Sequence, residues 1–370
     1  MICITLTLYL PFATKWLIKK IDVQLGVRAK TTPLVIGPKG SKFDLVLHEL
    51  YFSNRIGEEV KTADLREILE TDPGLPIPLY IKVTARKKYP IVGTTIDYLS
   101  FRFLEIARGE TLTLLGDCIV RARVGEDLKL KPGDKLISDP LNVFDIAGEY
   151  PLRMHVRGIL AATDTVDDDA VFVDTKTAWI IAGTGHGHMD VRKAGDDVIL
   201  NRTENSVSAN ASLLHFQEIN QKNIDSFHFH ADLDHLPITA IIVVPNGRKL
   251  LALLRGKYNS DSAVLKALLP FSVVQEMMGM VLKAKRHIDT NHVFVTVSTA
   301  LFLLLVVLLS LRLRKKEMET IFLIGCSRGT IFWLQALELF IILPVSALIA
   351  GHASWLTTQF AEELILGIRL

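Results

Sequence analysis

The 370-residue chain has only 3 cysteines, Cys3, Cys118 and Cys326, far apart in sequence. Cys3 and Cys326 fall in or beside apolar segments, so Cys118 has no evident partner and no disulfide framework is implied. Charge of one sign is missing too. With 42 Lys and Arg against 40 Asp and Glu the net charge is +2, which gives no reason to expect nucleic acid as a partner. Catalytic signatures are equally scarce. No GxxxxGK[ST] loop is present for nucleotide phosphates, and the nearest string, IGPKGSKFD at 36–44, has the wrong spacing. Neither Gly-x-Ser-x-Gly nor HExxH occurs, which leaves an enzyme as the weak hypothesis.

What the chain does have is apolar sequence. It is 49% hydrophobic with a mean hydropathy of +0.31, more than a soluble domain needs, so part of that excess belongs in lipid. Val293 to Leu311 carries no charge over 19 residues, about the length of helix that crosses a bilayer core. A second apolar segment runs from Ile331 to Trp355 and holds Glu338 and Pro344. Both are tolerated in a span if the acid faces protein and neighbours satisfy the backbone freed at the proline. Glu338 either anchors helix packing or transmits a coupling signal, or simply faces a partner helix. The third segment is the N-terminal MICITLTLYLPFATKWLI. A cleaved signal peptide competes there, but a basic leader and a small-x-small cleavage site are both missing, so a span is favoured.

Between the last two spans, Arg312, Arg314, Lys315, Lys316 and Arg328 crowd into one short loop, which the positive-inside rule places in the cytoplasm. The long block from about Asp22 to Asn291 then lies outside it. That block alternates strand-like runs at 78–85, 117–124, 154–160, 170–175 and 238–245 with helical spacing at 62–71, where a threonine would cap the helix. KPGDKL at 131–136 reads as a turn, and 34–52 as a turn followed by an amphipathic helix. The stretch 262–288 reads as one long helix leading into the second span. The resulting fold class is α+β, about three transmembrane helices with a large inserted mixed α/β extracytoplasmic domain. Its segments are a first span (1–20), the outer domain (21–261), a helical stalk (262–291), a second span (292–311), a cytoplasmic loop (312–329), a third span (330–355) and a tail (356–370).

The loop and the next helix read Arg314-Lys-Lys-Glu317, then Ile324-Gly325-Cys326-Ser327-Arg328, with Glu338 further in. This resembles the FtsX/MacB/LolC-type ABC transporter permeases, which carry a Glu and a Gly-Ala-Ser-Arg run opening the next span. YPIVGTTIDYL (89–99), LKPGDKL (130–136) and the segment 152–183 are similar to the family's MacB-like periplasmic core domain. The resemblance implies a multi-pass permease of the inner (plasma) membrane, not itself an enzyme, with a cytoplasmic ABC ATPase as partner. It implies pairing of permeases as a homodimer or heterodimer, a periplasmic accessory protein, and mechanotransmission to the outer domain. Glu317, Gly325, Ser327 and Arg328 would form the ATPase-coupling loop. Mechanically, a short amphipathic helix there suits a groove in a cytoplasmic partner, with Gly325 allowing a tight turn and Ser327 capping the next helix. Such permeases have four spans, whereas LTTQFAEELILGIRL after Trp355 is amphipathic; either this subgroup has three or the chain is incomplete. A membrane-tethered sensor or adhesion protein without an ATPase is the alternative from another class.

Histidines concentrate in two runs, GHGHMD with His186 and His188, and FHFHADLDH with His228, His230, Asp232, Asp234 and His235. On a strand, His-x-His places both imidazoles on one face, and nearby carboxylates could complete a zinc shell. The competing reading is polar surface or satisfied core histidines. No cofactor is certain; zinc is the candidate, and the sequence resembles a zinc-linked subgroup of the permeases. The run Asp167-Asp168-Asp169 lacks EF-hand spacing and reads as a solvated loop.

Overall fold

The structure, a computed structural model, describes residues 2–53, 57–72, 74–140, 151–163, 165–187, 199–202, 207–209, 217–229, 232–260 and 262–367. In chain order the elements begin with α1 (Ile2–Thr31), β1 (Leu34–Pro38), α2 (Lys42–Tyr51), β2 (Val60–Lys61), α3 (Thr62–Glu70), β3 (Leu75–Ala85) and β4 (Tyr89–Thr94). Then come α4 (Ile96–Phe101), β5 (Ile106–Gly109), β6 (Asp117–Val120), α5 (Ala122–Asp127), β7 (Lys135–Ile137), β8 (Leu152–Leu160), β9 (Val171–Asp174) and α6 (Thr175–Ile181). Short strands follow: β10 (Gly185–Gly187), β11 (Ile199–Arg202), β12 (Val207–Ala209), β13 (Gln217–Glu218), β14 (Phe227–Phe229) and β15 (Pro237–Ile238). The chain ends with β16 (Ala240–Val244), α7 (Arg248–Tyr258), β17 (Leu265–Leu268), α8 (Pro270–Leu313), α9 (Lys315–Leu323) and α10 (Arg328–Gly367).

These elements form two compact units, Val27–Val274 and a helical unit of 1–26 with 275–369. The first is built on one mixed sheet of order β13-β8-β6-β9-β4-β3-β16-β1-β17, with β5 and β7 also paired to β8. β4 with β9, β6 with β8, and β13 with β8 are parallel; the other pairs in this sheet are antiparallel. β1, β4 and β6 are buried at every position, which explains their continuous runs of β-branched and small apolar residues. β8 instead alternates, with Leu152, Met154 and Val156 buried and Arg153, His155 and Arg157 on the other face. Trp179 on α6 donates from Nε1 to Pro237 O at 2.6 Å and closes one side of the core.

Three expectations change in detail. The helix expected over 262–288 starts only at Pro270, because Leu265–Leu268 pairs with β1 as an edge strand; proline suits the first turn of a helix and not its interior. The strand expected over 117–124 stops at Val120, and α5 begins at Ala122. Thr62 does not cap α3; that end is closed by Asp64, whose carboxylate accepts from Lys61 N at 2.9 Å.

In the helical unit, α1, α8 and α10 are each long and apolar enough to cross a membrane. Their outward faces are apolar, with Phe302 59% and Leu348 73% exposed, as expected of helices meant for lipid. Polar contacts stitch the three together: Thr7 Oγ1 lies 3.4 Å from Thr299 Oγ1, His292 Nε2 2.8 Å from Thr7 O, and Tyr9 Oη 2.6 Å from Thr357 Oγ1. The third helix does not end near Trp355 but runs on to Gly367.

Candidate functional site

The candidate coupling loop folds into a helical elbow. α9 closes with Ile324 N bonded to Thr320 O and Gly325 N to Phe322 O. Gly325 then takes φ +107°, a conformation that costs an L side chain about 1–2 kcal/mol, and the chain reverses into α10. Ser327 Oγ accepts from Thr330 N at 3.2 Å and so caps α10, satisfying one of the donors that the first turn leaves open. Glu317 lies in the first turn of α9, where its charge complements the helix dipole. The Arg328 guanidinium sits 5.5 Å over the Phe322 ring, which braces the two arms of the elbow. Leu323 is 83% and Ile324 78% exposed at its tip. Sequence reading named the Glu, Gly, Ser and Arg but not this apolar tip, which only the turn geometry brings outward. Glu338 is on α10, ten residues past the elbow.

The histidine runs come together in part. β10 and β14 pair antiparallel, and the register sets His186 directly opposite His228. The core explains the pairing: Phe227 and Phe229 pack against it, and the Phe229 ring meets Trp179 edge-on at 5.8 Å. His228 Nδ1 lies 3.2 Å from Ser226 O. His188 and His230 lie outside the described residues. Asp234 is not turned to the histidines; it accepts from Arg66 Nη1 on α3 at 2.7 Å. Asp232 and His235 are exposed on the same short turn. Among the described residues no three His, Cys, Asp or Glu side chains gather as a metal shell.

The acidic run at 167–169 differs from the solvated loop expected of it. Asp167, Asp168 and Asp169 are 2%, 2% and 4% exposed, and each meets a different arginine. Asp167 takes Arg28 at the end of α1, with Nη2 donating to Oδ1 at 2.9 Å and Nη1 to Oδ2. Arg28 Nη2 also donates to Tyr98 Oη at 2.7 Å, and Tyr98 donates to Asp167 at 3.1 Å. Asp168 takes the fully buried Arg121, and Asp169 takes Arg123 at 3.0 Å. Burial alone would raise the Asp167 pKa, but the charge and hydrogen bonds of Arg28 outweigh it and hold the carboxyl below its usual range. Nearby, Arg102 Nη2 donates to Thr32 Oγ1 at 2.8 Å, tying down the residues just after α1. No local signal foretells this knot, since Arg28 and Asp167 are 139 residues apart.

No protein-family model matches this sequence, and no curated protein matches it. Among solved structures, this chain is similar to the periplasmic region of MacB from Actinobacillus actinomycetemcomitans, at 9% identity and a TM-score of 0.36 over 67% of this chain and 94% of that one. It is also similar to the extracellular domain of the noncanonic ABC-type transporter YknZ from Gram-positive bacteria, at 11% identity and a TM-score of 0.35 over 64% of this chain and 98% of that one.

Proposed function

We propose that this chain is the permease subunit of an ABC-type complex. It couples ATP hydrolysis by a separate cytoplasmic ATPase to movement of its outer domain, which acts on an extracytoplasmic substrate. The observation that carries the reading is the α9–α10 elbow: a short helix with an exposed apolar tip, held between two long apolar helices by Gly325, the Ser327 cap and Arg328. Such an elbow suits a partner's groove, and a push on it reaches rigid rods. α8 is unbroken over 44 residues, about 66 Å at a rise of 1.5 Å per residue. Pairing with a second permease, a periplasmic accessory protein and residence in the inner membrane belong to the same proposal.

Affinity purification from the native membrane in mild detergent tests it. A stoichiometric P-loop ATPase co-purifies with the native chain and is lost with Glu317→Ala or Arg328→Ala, while insertion is unchanged. If no ATPase co-purifies where other membrane complexes survive, the reading fails and a tethered sensor takes its place. One observation favours a second reading, zinc transport or sensing: the register that sets His186 against His228. Zinc retained stoichiometrically by the native chain and lost in His186→Ala with His228→Ala supports that reading; equal zinc in both ends it.

A further inference from the structure

A cleft of about 760 Å³ opens in the outer unit over the middle of β8. It forms where β7 stops and β5 begins, and the turn at Pro132–Gly133 reaches β8 through Gly133 N bonded to Val156 O. Its accessible apolar lining comes from Leu114, Leu115, Pro132 and Ile224, over a base closed by the buried Ile219. The volume falls in the range of small-ligand sites, about 300–1,000 Å³.

The charges around it follow from the pleat. Arg153, His155 and Arg157 stand two residues apart on one face of β8, a row of three basic side chains. The first two are consumed: Glu218 on β13 takes Arg153, His155 at 2.9 Å, and Lys135 from β7 at 2.6 Å. Arg157 is treated differently. Asp117, only 2% exposed, accepts from Arg157 Nε at 3.0 Å and from Thr113 N, Thr113 Oγ1 and Leu114 N. This buried carboxylate fixes the guanidinium by its Nε, and Nη1 and Nη2 have no hydrogen-bond partner among the described residues. Across the cleft, the loop after Glu218 is tied back on itself: Asn220 N donates to Asn223 Oδ1 at 2.7 Å and Asn223 Nδ2 to Glu218 O at 2.8 Å. That loop carries Lys222, whose ammonium makes no ion pair among the described residues. Glu110 is the acid at the rim, and it disfavours a ligand with several negative charges.

We propose that this cleft binds a single carboxylate carried on an apolar body, in the first instance the C-terminal end of an apolar peptide. The ligand carboxylate takes toward the Arg157 fork the part that Glu218 plays toward Arg153 and His155, with Lys222 as the second cation and Leu114, Leu115 and Ile224 holding the apolar side chains. Asp117 is a positioning residue. The proposal stands apart from the ATPase reading and is tested without one.

Dansyl-Leu-Leu-Phe, as the free acid and as its C-terminal amide, is titrated against the full chain in lipid nanodiscs, with empty discs as the blank and octanoate and inorganic phosphate as competitors. The acid binds at least tenfold more tightly than the amide. Arg157→Gln abolishes that preference, Arg157→Lys restores part of it, and Lys222→Gln, on an exposed loop, weakens it. Competition by octanoate shows that the carboxylate with any apolar body suffices; its failure restricts the site to peptides. Equal binding of acid and amide, a preference unchanged in both Arg157→Gln and Lys222→Gln, stronger competition by phosphate, or no saturable binding of the acid up to millimolar concentration overturns the proposal.

Discussion

At the scale of single residues, burial decides how much a charge matters. Asp167→Asn leaves Arg28 charged in a site where it is 8% exposed, so unfolding of the sheet unit in urea should cost about 3–5 kcal/mol less than for the native chain. Asp169→Asn strands Arg123, whose side chain is 36% exposed, and should cost only about 0–1 kcal/mol. Equal losses for the two would show that burial is not the governing term. Glu49 on α2 is a different case. It is fully buried, neither carboxyl oxygen has a hydrogen-bond partner among the described residues, and the Thr239 hydroxyl beside it donates to Leu79 O. Burial pushes its pKa up to about 8, against a smaller lowering effect of Thr239. Between the unfolded value of about 4.3 and this folded value, the folded state holds a proton that the unfolded state has lost. Stability therefore falls as pH rises through that window, by several kcal/mol at about 1.4 kcal/mol per unit, and levels off above it. Glu49→Gln should remove this slope in urea titrations run from pH 5 to pH 9. An unchanged slope would place the titration elsewhere.

At the scale of elements, the elbow between α9 and α10 was legible because its determinants are local: a glycine that must turn and a serine three residues before the amide it caps. Ser327→Ala should destabilise the first turn of α10 by about 1 kcal/mol and speed hydrogen exchange at Thr330 roughly fivefold, with exchange in α9 little changed. Gly325→Ala meets no steric neighbour, so its cost is the backbone's alone, about 1–2 kcal/mol, and it should reduce ATPase co-purification without loss of insertion. β17 was misread for the opposite reason. Its four residues have the apolar content of the helix that follows, and only the free edge of β1 makes them a strand. The acidic run was misread because its three arginines arrive from α1, the end of β6 and α5, which no window of sequence brings together.

At the scale of the whole molecule, the proposed topology has a test in the native cysteines. Cys326 in the elbow should react with an impermeant maleimide in inverted vesicles and stay unlabelled in right-side-out ones, in a Cys3→Ser background. Cys118 should stay silent in both, because it is 0% exposed and burial, helped by Asp117, raises its thiol pKa. Labelling of Cys326 from the outside would reverse the orientation and remove the elbow from reach of a cytoplasmic ATPase. What the sequence alone determined is whatever rests on one-dimensional pattern: apolar length for the three long helices, charge asymmetry for their expected orientation, β-branched runs bounded by turn residues for several strands, and turn chemistry for the elbow. Tertiary structure decided how each charge is paired and which donor atoms are left open. Arg153, His155 and Arg157 are indistinguishable as a pattern on β8, yet two of them share Glu218 with Lys135 while Asp117 pairs with the third through its Nε. Pairing energies depend on distance and desolvation, and both are set by the packing of strands far apart in the chain.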